Sequence, residues 1–347
     1  MSSNQTAGSP RQDQARVTAA EWFAGGQRIW YHPETARVLT EEEAAATPGA
    51  LRVFERVAAA GHDTDTVWLT LLPGFPDGSY GWAQVDRVLG DGLGPRLYVE
   101  PVGQGDSDKP RHYRYSTFER ADLVEALWRK HGVRRTVVVT FDYTSLALLE
   151  VLRRQLDRSK TGDTATPTIT AALMVNGGLF ADAHSHPWRG TPLLRSPLGA
   201  VGMRGWQRSP RPFAASMMQA RMYSRGYRPA AEELTELWSA ITRRDGAAFA
   251  HNAAGFVEEH RRNAQRWALA AIARELDGKV AFYVGGSDED PYEHRQIPAA
   301  RERAPQAEVL TFPGGHLTTS EQPDLLAAAI REVADRHDVG SRATAIR

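Results

Sequence analysis

The chain has 347 residues, of which 41% are hydrophobic, so it can bury a sizeable core as one large domain or two modest ones. Basic and acidic residues balance at 42 each, which argues against nucleic acid or an anionic membrane surface as a partner. The absence of cysteine excludes disulfides, thiolate metal sites and a thiol nucleophile, and it fits a cytoplasmic protein. No apolar run reaches the roughly 18 to 20 residues that cross a bilayer.

Hydrophobic periodicity predicts strands and helices that alternate along the chain. A hairpin at 28–32 and 36–39 comes first, and a half-exposed strand at 51–57 follows it. The run 66–72 is continuously apolar, which indicates a strand buried on both faces. Further strands are predicted at 96–100, 137–141, 168–176, 279–286 and 307–312, and helices at 80–89, 117–131, after 142 and at 322–337. This alternation predicts an α/β fold with a mostly parallel central sheet and helices on both faces.

The alternation breaks after Gly178 and resumes only with the strand at 279–286. The intervening segment has a helical pattern and is rich in Trp, Tyr, Met and Arg, which predicts a helical cap over the carboxyl edge of the sheet. The predicted division is a disordered N-terminus (1–16), a core (17–179 and 273–338), a cap (180–272) and a flexible tail (339–347).

One stretch joins a buried strand directly to an amphipathic helix through an acidic residue. The strand 137–141 stops at Asp142, and the helix follows at once. A carboxylate at the end of an apolar strand loses water and needs hydrogen-bond donors. In open α/β sheets such a turn is where ligands meet catalytic groups. Asp142 is therefore a candidate catalytic residue, and the alternative is an aspartate that caps the helix.

Asp142 is the first of three acid–base candidates that follow predicted strands. Asp288 lies just past the strand 279–286, and His316 follows the last strand. A nucleophile on a strand-to-helix turn, then an acid, then a histidine is a known catalytic order for a hydrolase. A serine nucleophile is disfavoured, because no G-x-S-x-G motif occurs and Ser145 lies inside the first turn of the helix.

Five motifs carry a resemblance to a known family. They are Leu72–Trp82, Gly103–Pro110, Phe141–Tyr143, Asn176–Phe180 and Gly315–Pro323. Together they resemble the epoxide hydrolase and haloalkane dehalogenase branch of the α/β-hydrolase superfamily. The cap is most similar to mesoderm-specific transcript-type proteins, through Asn176–Phe180, Ser224–Gly226, Glu236–Ile241 and Asp245–Gly246. The resemblance covers about Leu51 to His337.

The resemblance implies a hydrolase that works in two steps. Asp142 would attack a saturated carbon and form an alkyl-enzyme ester. His316, oriented by Asp288, would then deprotonate the water that hydrolyses this ester, while the backbone N–H groups of Phe75 and Tyr143 hold the oxyanion. Asp290 competes with Asp288 for the role of the acid, because the loop 285–291 can be aligned either way.

The chain departs from the family pattern at several places. Pro73 stands where the family usually has histidine, and Thr140 and Thr144 stand where it usually has glycines. Tyr143 and Phe75 occupy the places of the tryptophan and asparagine that hold halide in dehalogenases. Epoxide hydrolysis is therefore favoured. A haloalkane dehalogenase-like hydrolase and a non-hydrolytic protein that binds, rearranges or cyclises its ligand remain alternatives.

The predicted cap supplies candidates for the substrate pocket. Epoxide opening in this family uses two cap tyrosines as proton donors, and Tyr223 or Tyr227 would supply one of them. By alignment the second place holds His260, which is equally readable as a solvated helix residue. Trp206 is a further predicted pocket residue. These side chains imply a small, apolar substrate.

No cofactor is predicted. His184 and His186 are separated by one serine, but only Asp182 accompanies them, so a metal site is not expected there. Neither nucleic acid nor a membrane is an expected partner, and homodimerisation is left open.

Overall fold

The structure is a computed structural model that describes residues 16–59, 65–162, 167–184, 197–244 and 259–341. Most of the predicted disordered N-terminus therefore lies outside the described residues, although Arg16 pairs with Glu233 at 3.2 Å. The predicted flexible tail needs a correction at its beginning. The N–H of Gly340 donates to the carbonyl of Val67 at 3.0 Å, and the N–H of Val67 donates to Ser341 at 3.3 Å. Residues 342–347 lie outside the described residues.

Nine strands form a single sheet in the described part of the chain, in the order β2-β1-β3-β5-β4-β6-β7-β8-β9. The strands are β1 (Gln27–His32), β2 (Arg37–Leu39), β3 (Leu51–Ala58), β4 (Val67–Leu72), β5 (Arg96–Val99), β6 (Arg135–Phe141), β7 (Thr168–Val175), β8 (Ala281–Ser287) and β9 (Ala307–Phe312). The pairs β1/β2, β1/β3 and β3/β5 are antiparallel, and every pair from β5 to β9 is parallel. The predicted N-terminal hairpin and the mostly parallel sheet are thus confirmed.

Helices follow most of the parallel strands, as the periodicity predicts. Within the described ranges they are α1 (Ala19–Ala24), α2 (Glu41–Ala46), α3 (Ala83–Leu89), α4 (Thr117–Lys130), α5 (Thr144–Thr161), α6 (Pro197–Arg208), α7 (Pro210–Gln219), α8 (Ala231–Thr242), α9 (Leu269–Glu275), α10 (Gln296–Arg303), α11 (Thr318–Glu321) and α12 (Pro323–Arg336), with a 3-10 helix at Gly78–Trp82. The predicted helix 80–89 is therefore divided into this 3-10 turn and α3.

Each face of the sheet packs against its own set of helices. Side chains alternate along β6, so that Val138 joins one buried cluster while Val137 and Val139 join the other. The first cluster includes residues of α4, α5 and α9, and the second includes residues of α1, α3 and α12. Burial on both faces explains why the central strands read as continuous apolar runs.

Hydrogen bonds that involve buried carboxylates join the described parts of the segment between β7 and β8 to helices that flank the sheet. Near its end, the N–H of Thr117 donates to Glu259 at 2.7 Å, and the indole N–H of Trp267 donates to Glu150 at 2.8 Å. In its middle, the N–H of Ser224 donates to Glu321 at 3.1 Å. The limits 180 and 272 for a cap domain remain a prediction, because much of this segment lies outside the described residues.

The described residues contain neither a membrane-spanning helix nor a metal-binding cluster. No helix there is long and apolar enough to cross a membrane. No group of three or more histidine, aspartate or glutamate side chains in the same ranges could hold a metal ion. His186, the second residue of the His-x-His pair, lies outside them.

Candidate active site

Asp142 sits on a sharp turn between β6 and α5. Its φ is 56°, in the left-handed region that non-glycine residues seldom adopt, and such a conformation costs about 1–3 kcal/mol. The turn is held by the N–H of Asp142, which donates to Val175 at 2.9 Å, and by the N–H of Ser145, which donates to the carbonyl of Asp142 at 3.0 Å. Strain of this kind is typical of the turn that presents a nucleophile above a sheet.

The threonines that replace the expected glycines fit this turn. The hydroxyls of Thr140 and Ser145 are hydrogen-bonded at 2.7 Å, and the hydroxyl of Thr144 donates to the carbonyl of Phe141 at 3.0 Å. The crowding is relieved in the loop after β7, because a Cβ on Gly177 would lie 2.3 Å from the Ser145 hydroxyl. The turn therefore forms without the usual glycines, and glycine is required in that neighbouring loop instead.

The two carboxylate oxygens of Asp142 face different partners. Oδ2 accepts a hydrogen bond from the backbone N–H of Phe75 at 3.0 Å. Oδ1 lies 3.6 Å from Nε2 of His316. Only 5% of Asp142 and 4% of His316 is exposed, so this pair is largely removed from water. One oxygen is thus held by an N–H donor, while the other faces the histidine.

Asp290, and not Asp288, contacts His316. Oδ2 of Asp290 lies 2.6 Å from Nδ1 of His316, and Asp290 is fully buried. Asp288 instead accepts the N–H of Gly314 at 2.9 Å. The prediction that Asp288 orients His316 is therefore wrong, because Asp288 is used to fix the loop that carries the histidine. The competing candidate from the sequence has the required geometry.

The two carboxylate neighbours of His316 favour its charged form. Burial alone would lower the pKa of His316, but Asp290 first and Asp142 second outweigh burial and raise this pKa well above its usual value. The loop position is fixed as well. The N–H of Leu317 donates to Met222 at 3.0 Å, and a Cβ on Gly315 would lie 2.5 Å from the backbone of Tyr223. The segment between β7 and β8 thus packs directly on the histidine loop.

Asp77 is a further carboxyl group near this pair, and it was not singled out from the sequence. Burial first and the charge of Asp142 second raise the pKa of Asp77 to about 7, against the opposing charge of His316. Its place directly after Phe75-Pro76 is the only sequence signal, because the motif Leu72–Trp82 contains it. Asp77 therefore adds a group that titrates near neutral pH beside the Asp142–His316 pair.

The predicted cap tyrosines lie together. The rings of Tyr223 and Tyr227 are stacked with centroids 5.3 Å apart, and the hydroxyl of Tyr227 donates to Glu233 at 2.8 Å. Burial first, and then charges that include those of Glu233 and Asp77, raise the pKa of Tyr223. Tyr223 is thus the one of the two whose titration is affected by a carboxyl group of the site, while the hydroxyl of Tyr227 is engaged elsewhere. Their roles as proton donors stay predictions.

The other two predicted pocket residues have different surroundings. His260 is buried, and burial first, with the charge of His184 second, lowers the pKa of His260 to about 4. His260 is therefore uncharged near neutral pH, so it rarely carries the extra proton that a leaving alkoxide would take. Trp206 packs edge-to-face on Phe213 at 4.9 Å, and its indole N–H donates to Ser216 at 2.9 Å. Its place in the pocket stays a prediction.

The fold and this geometry define an α/β hydrolase. The chain belongs to the family described as the alpha/beta hydrolase family, whose model matches residues 71–329. Asp142, Asp290 and His316 follow β6, β8 and β9, in the chain order nucleophile, acid and histidine that is typical of this fold.

The chain is similar in sequence to several curated proteins. The chain is 30% identical over 268 residues to "Putative hydrolase LipZ" of Mycobacterium tuberculosis (strain ATCC 25618 / H37Rv), which covers 76% of this chain and 87% of that protein. It is also 30% identical over 237 residues to the "Mesoderm-specific transcript homolog protein" of Bos taurus, over 64% of this chain. The match spans 65% of the length of the bovine protein.

Solved structures share the fold at low sequence identity. A thermophilic esterase from Thermogutta terrifontis superposes with a TM-score of 0.63 and 19% identity, over 90% of this chain and 99% of the esterase. The haloalkane dehalogenase DatA from Agrobacterium tumefaciens C58 superposes with a TM-score of 0.61 and 17% identity, over 90% and 97%. These likenesses establish the fold alone.

Proposed function

We propose that this protein is a hydrolase whose nucleophile is Asp142 and whose substrates are epoxides. One observation carries the proposal: Asp142 stands on the strained turn with one oxygen on the N–H of Phe75 and the other facing Nε2 of His316. An aspartate needs this arrangement to act as a nucleophile and then to be released from its ester. A helix cap needs neither a buried histidine nor an N–H donor from another loop.

The first step would be attack by Oδ1 of Asp142 on an epoxide carbon. A carbon–oxygen bond forms, the strained carbon–oxygen bond of the ring breaks, and its electron pair stays on the leaving oxygen, which then takes a proton. Oδ2 becomes the carbonyl oxygen of the ester and remains on the N–H of Phe75. The donor is thus already in place for the charge that develops in the second step.

In the second step, Nε2 of His316 would take a proton from water while the water oxygen attacks Cγ of Asp142. The tetrahedral oxyanion lies on the N–H of Phe75, with the predicted second donor being the N–H of Tyr143. Collapse of this intermediate releases the diol and restores the carboxylate. Asp290 holds the histidine by its Nδ1 and stabilises the imidazolium that forms.

The electrostatics of His316 suit this sequence of steps. Part of the rise in its pKa comes from the negative charge of Asp142. Esterification removes that charge, so the pKa of His316 falls once the ester has formed. The imidazole therefore loses its proton more readily at the stage when a neutral base is needed.

The test is to trap the ester. In a His316→Gln variant the first step should proceed and the second should stop, so incubation with a panel of aryl and alkyl epoxides should add the mass of one epoxide to the protein. Peptide mapping should place the adduct on Asp142. A panel of haloalkanes, assayed for halide release, tests the dehalogenase alternative.

Two controls make the trapping experiment specific. His337→Gln removes a histidine that contacts Tyr283 of β8 and neither Asp142 nor Asp290, and it should turn over epoxides without accumulating an adduct. The double variant Asp142→Asn/His316→Gln should form none. If His316→Gln traps nothing and the unaltered protein hydrolyses no epoxide, the proposed function is wrong.

A further inference from the structure

A second histidine–carboxylate pair ends on the residue next to the nucleophile. Nδ1 of His184 lies 2.6 Å from Oε1 of Glu293. On its other side, Nε2 of His184 lies 3.3 Å from the hydroxyl of Tyr143, and the two rings meet edge-to-face with centroids 5.9 Å apart. Glu293, His184 and Tyr143 thus form a continuous polar chain. In its order of acid, histidine and third group it resembles the set Asp290, His316 and Asp142.

Three loops at the carboxyl edge of the sheet build this chain. Tyr143 follows the nucleophile on the turn after β6, and Glu293 lies between β8 and α10. His184 follows β7, and its N–H donates to the carbonyl of Phe180 at 2.9 Å. Gly178 is required beside it: its φ is 56°, its N–H donates to Glu293 at 3.1 Å, and a Cβ there would lie 3.2 Å from Nδ1 of His184.

The charges around His184 favour its protonated form. Burial alone would lower the pKa of His184, but Glu293 outweighs burial and raises it, and the charge of Asp142 raises it further. The positive charge of His316 opposes this rise. His260, a further ionisable neighbour, is itself uncharged near neutral pH because its own pKa is lowered to about 4.

Tyr143 has the properties of a phenol that is kept protonated and accessible. Burial first, and then the charges of Asp142 and Glu293, raise its pKa. Tyr143 is partly exposed, whereas the neighbouring Asp142 is buried. Part of Tyr143 is therefore reached by solvent, next to the nucleophile.

We propose that Tyr143 is the proton donor to the leaving oxygen and that His184, held by Glu293, resupplies its proton. This inference rests on the proposed function. As the epoxide carbon–oxygen bond breaks, the electron pair on oxygen takes the phenol proton, and the phenolate takes the proton from Nε2 of His184. The neutral imidazole keeps the Nδ1 proton towards Glu293 and regains the other from solvent. The engaged Tyr227 and the uncharged His260 are then not needed as acids.

The experiment follows the first step alone. In the His316→Gln background, the rate at which an epoxide alkylates Asp142 is measured by intact mass for added Tyr143→Phe and Tyr283→Phe. Tyr283 is a matched control, because its hydroxyl lies 3.1 Å from Nε2 of His337 with ring centroids 6.0 Å apart at 79°, away from the site. We expect Tyr143→Phe to slow alkylation about 100-fold, in the range typical of a lost general acid, and Tyr283→Phe to leave the rate unchanged.

The pH profile separates proton delivery from a structural role. Because the protonated His184 is the resupplying group, the advantage of Tyr143 over phenylalanine should be largest at low pH and shrink as the pH rises through the raised pKa of His184. Glu293→Gln, added to the same background, should shift this decline to lower pH, because it removes the charge that raises the pKa of His184.

Three results would overturn the inference. Equal alkylation rates for Tyr143→Phe and Tyr283→Phe would show that Tyr143 is not the proton donor, while Asp142 would remain the nucleophile. A slowing by the same factor at every pH would mean that His184 does not resupply the proton. The absence of any adduct in the His316→Gln background would overturn both this inference and the proposed function, so the two failures are distinguishable.

Discussion

An Asp290→Asn variant is expected to hydrolyse its alkyl-enzyme ester about 10³- to 10⁴-fold more slowly than the unaltered protein, by analogy with the loss of the aspartate in serine hydrolases. Asp290 fixes which ring nitrogen of His316 carries the proton and stabilises the imidazolium, and an amide does neither well. The first step does not need His316 as a base. The ester should therefore accumulate, and rapid-quench intact mass should show it.

Asp288→Asn is the matched control for this change. Its amide oxygen can still accept the N–H of Gly314, so the loop should keep its geometry and the ester should turn over at close to the normal rate. The sequence alone favoured Asp288 as the acid. Slow ester hydrolysis in Asp288→Asn together with normal hydrolysis in Asp290→Asn would mean that Asp288, and not Asp290, orients His316.

Asp142→Asn is expected to abolish both adduct formation and turnover, a loss of at least about 10⁴-fold, because an amide is a poor nucleophile and no other group replaces it. The fold should survive, since asparagine is among the residues that best tolerate the left-handed conformation at this turn. Thermal unfolding should therefore show a melting temperature at least equal to that of the unaltered protein.

The same variant also tests the electrostatics. Without the charge of Asp142, the pKa of His316 should fall, so the imidazole should lose its proton at lower pH in an NMR titration. Asp142→Ala provides a comparison that removes the side chain as well. Turnover that persists in Asp142→Asn, or a pKa of His316 that does not fall, would show that Asp142 is not the group facing this histidine.

The sequence predicted the frame of the site because the frame depends on local patterns. The apolar run of β6, the amphipathic run of α5 and the abrupt change at Asp142 are readable residue by residue. The position of His316 follows in the same way, because it comes directly after the last strand. Parallel strands then bring these strand ends to one edge of the sheet, so Asp142 and His316 could be expected to meet.

The parts that could not be predicted depend on loop geometry and on distant partners. Asp288 and Asp290 are two residues apart, and the sequence does not show which of them contacts His316. In the structure the carboxylate of Asp288 accepts the N–H of Gly314, so Asp290 is the one that contacts the histidine. Glu293 and His184 follow different strands, and only the fold brings them within 2.6 Å. From the sequence, His184 could be considered only as a metal ligand together with His186. Its contact with the hydroxyl of Tyr143 is visible only in the structure.

The turn around Asp142 illustrates a compensation that a motif comparison misses. Thr140 and Thr144 look like obstacles to a nucleophile turn, because the family usually has glycines there. Their hydroxyls instead bond to Ser145 and to the carbonyl of Phe141, and the needed space comes from Gly177 in the loop after the neighbouring strand β7. The spatial requirement is met by a residue that no local pattern connects with the turn.

The central claim is that Asp142 is alkylated and that water then attacks its carboxyl carbon. A single turnover of an epoxide in heavy-oxygen water, with the protein in excess, tests this claim most directly. Attack of water on Cγ should bring the heavy oxygen into the carboxylate of Asp142, detected in the peptide that contains it, and should leave the diol from this turnover unlabelled. Heavy oxygen in the diol and none in Asp142 would show that water attacks the epoxide itself and that Asp142 is not the nucleophile.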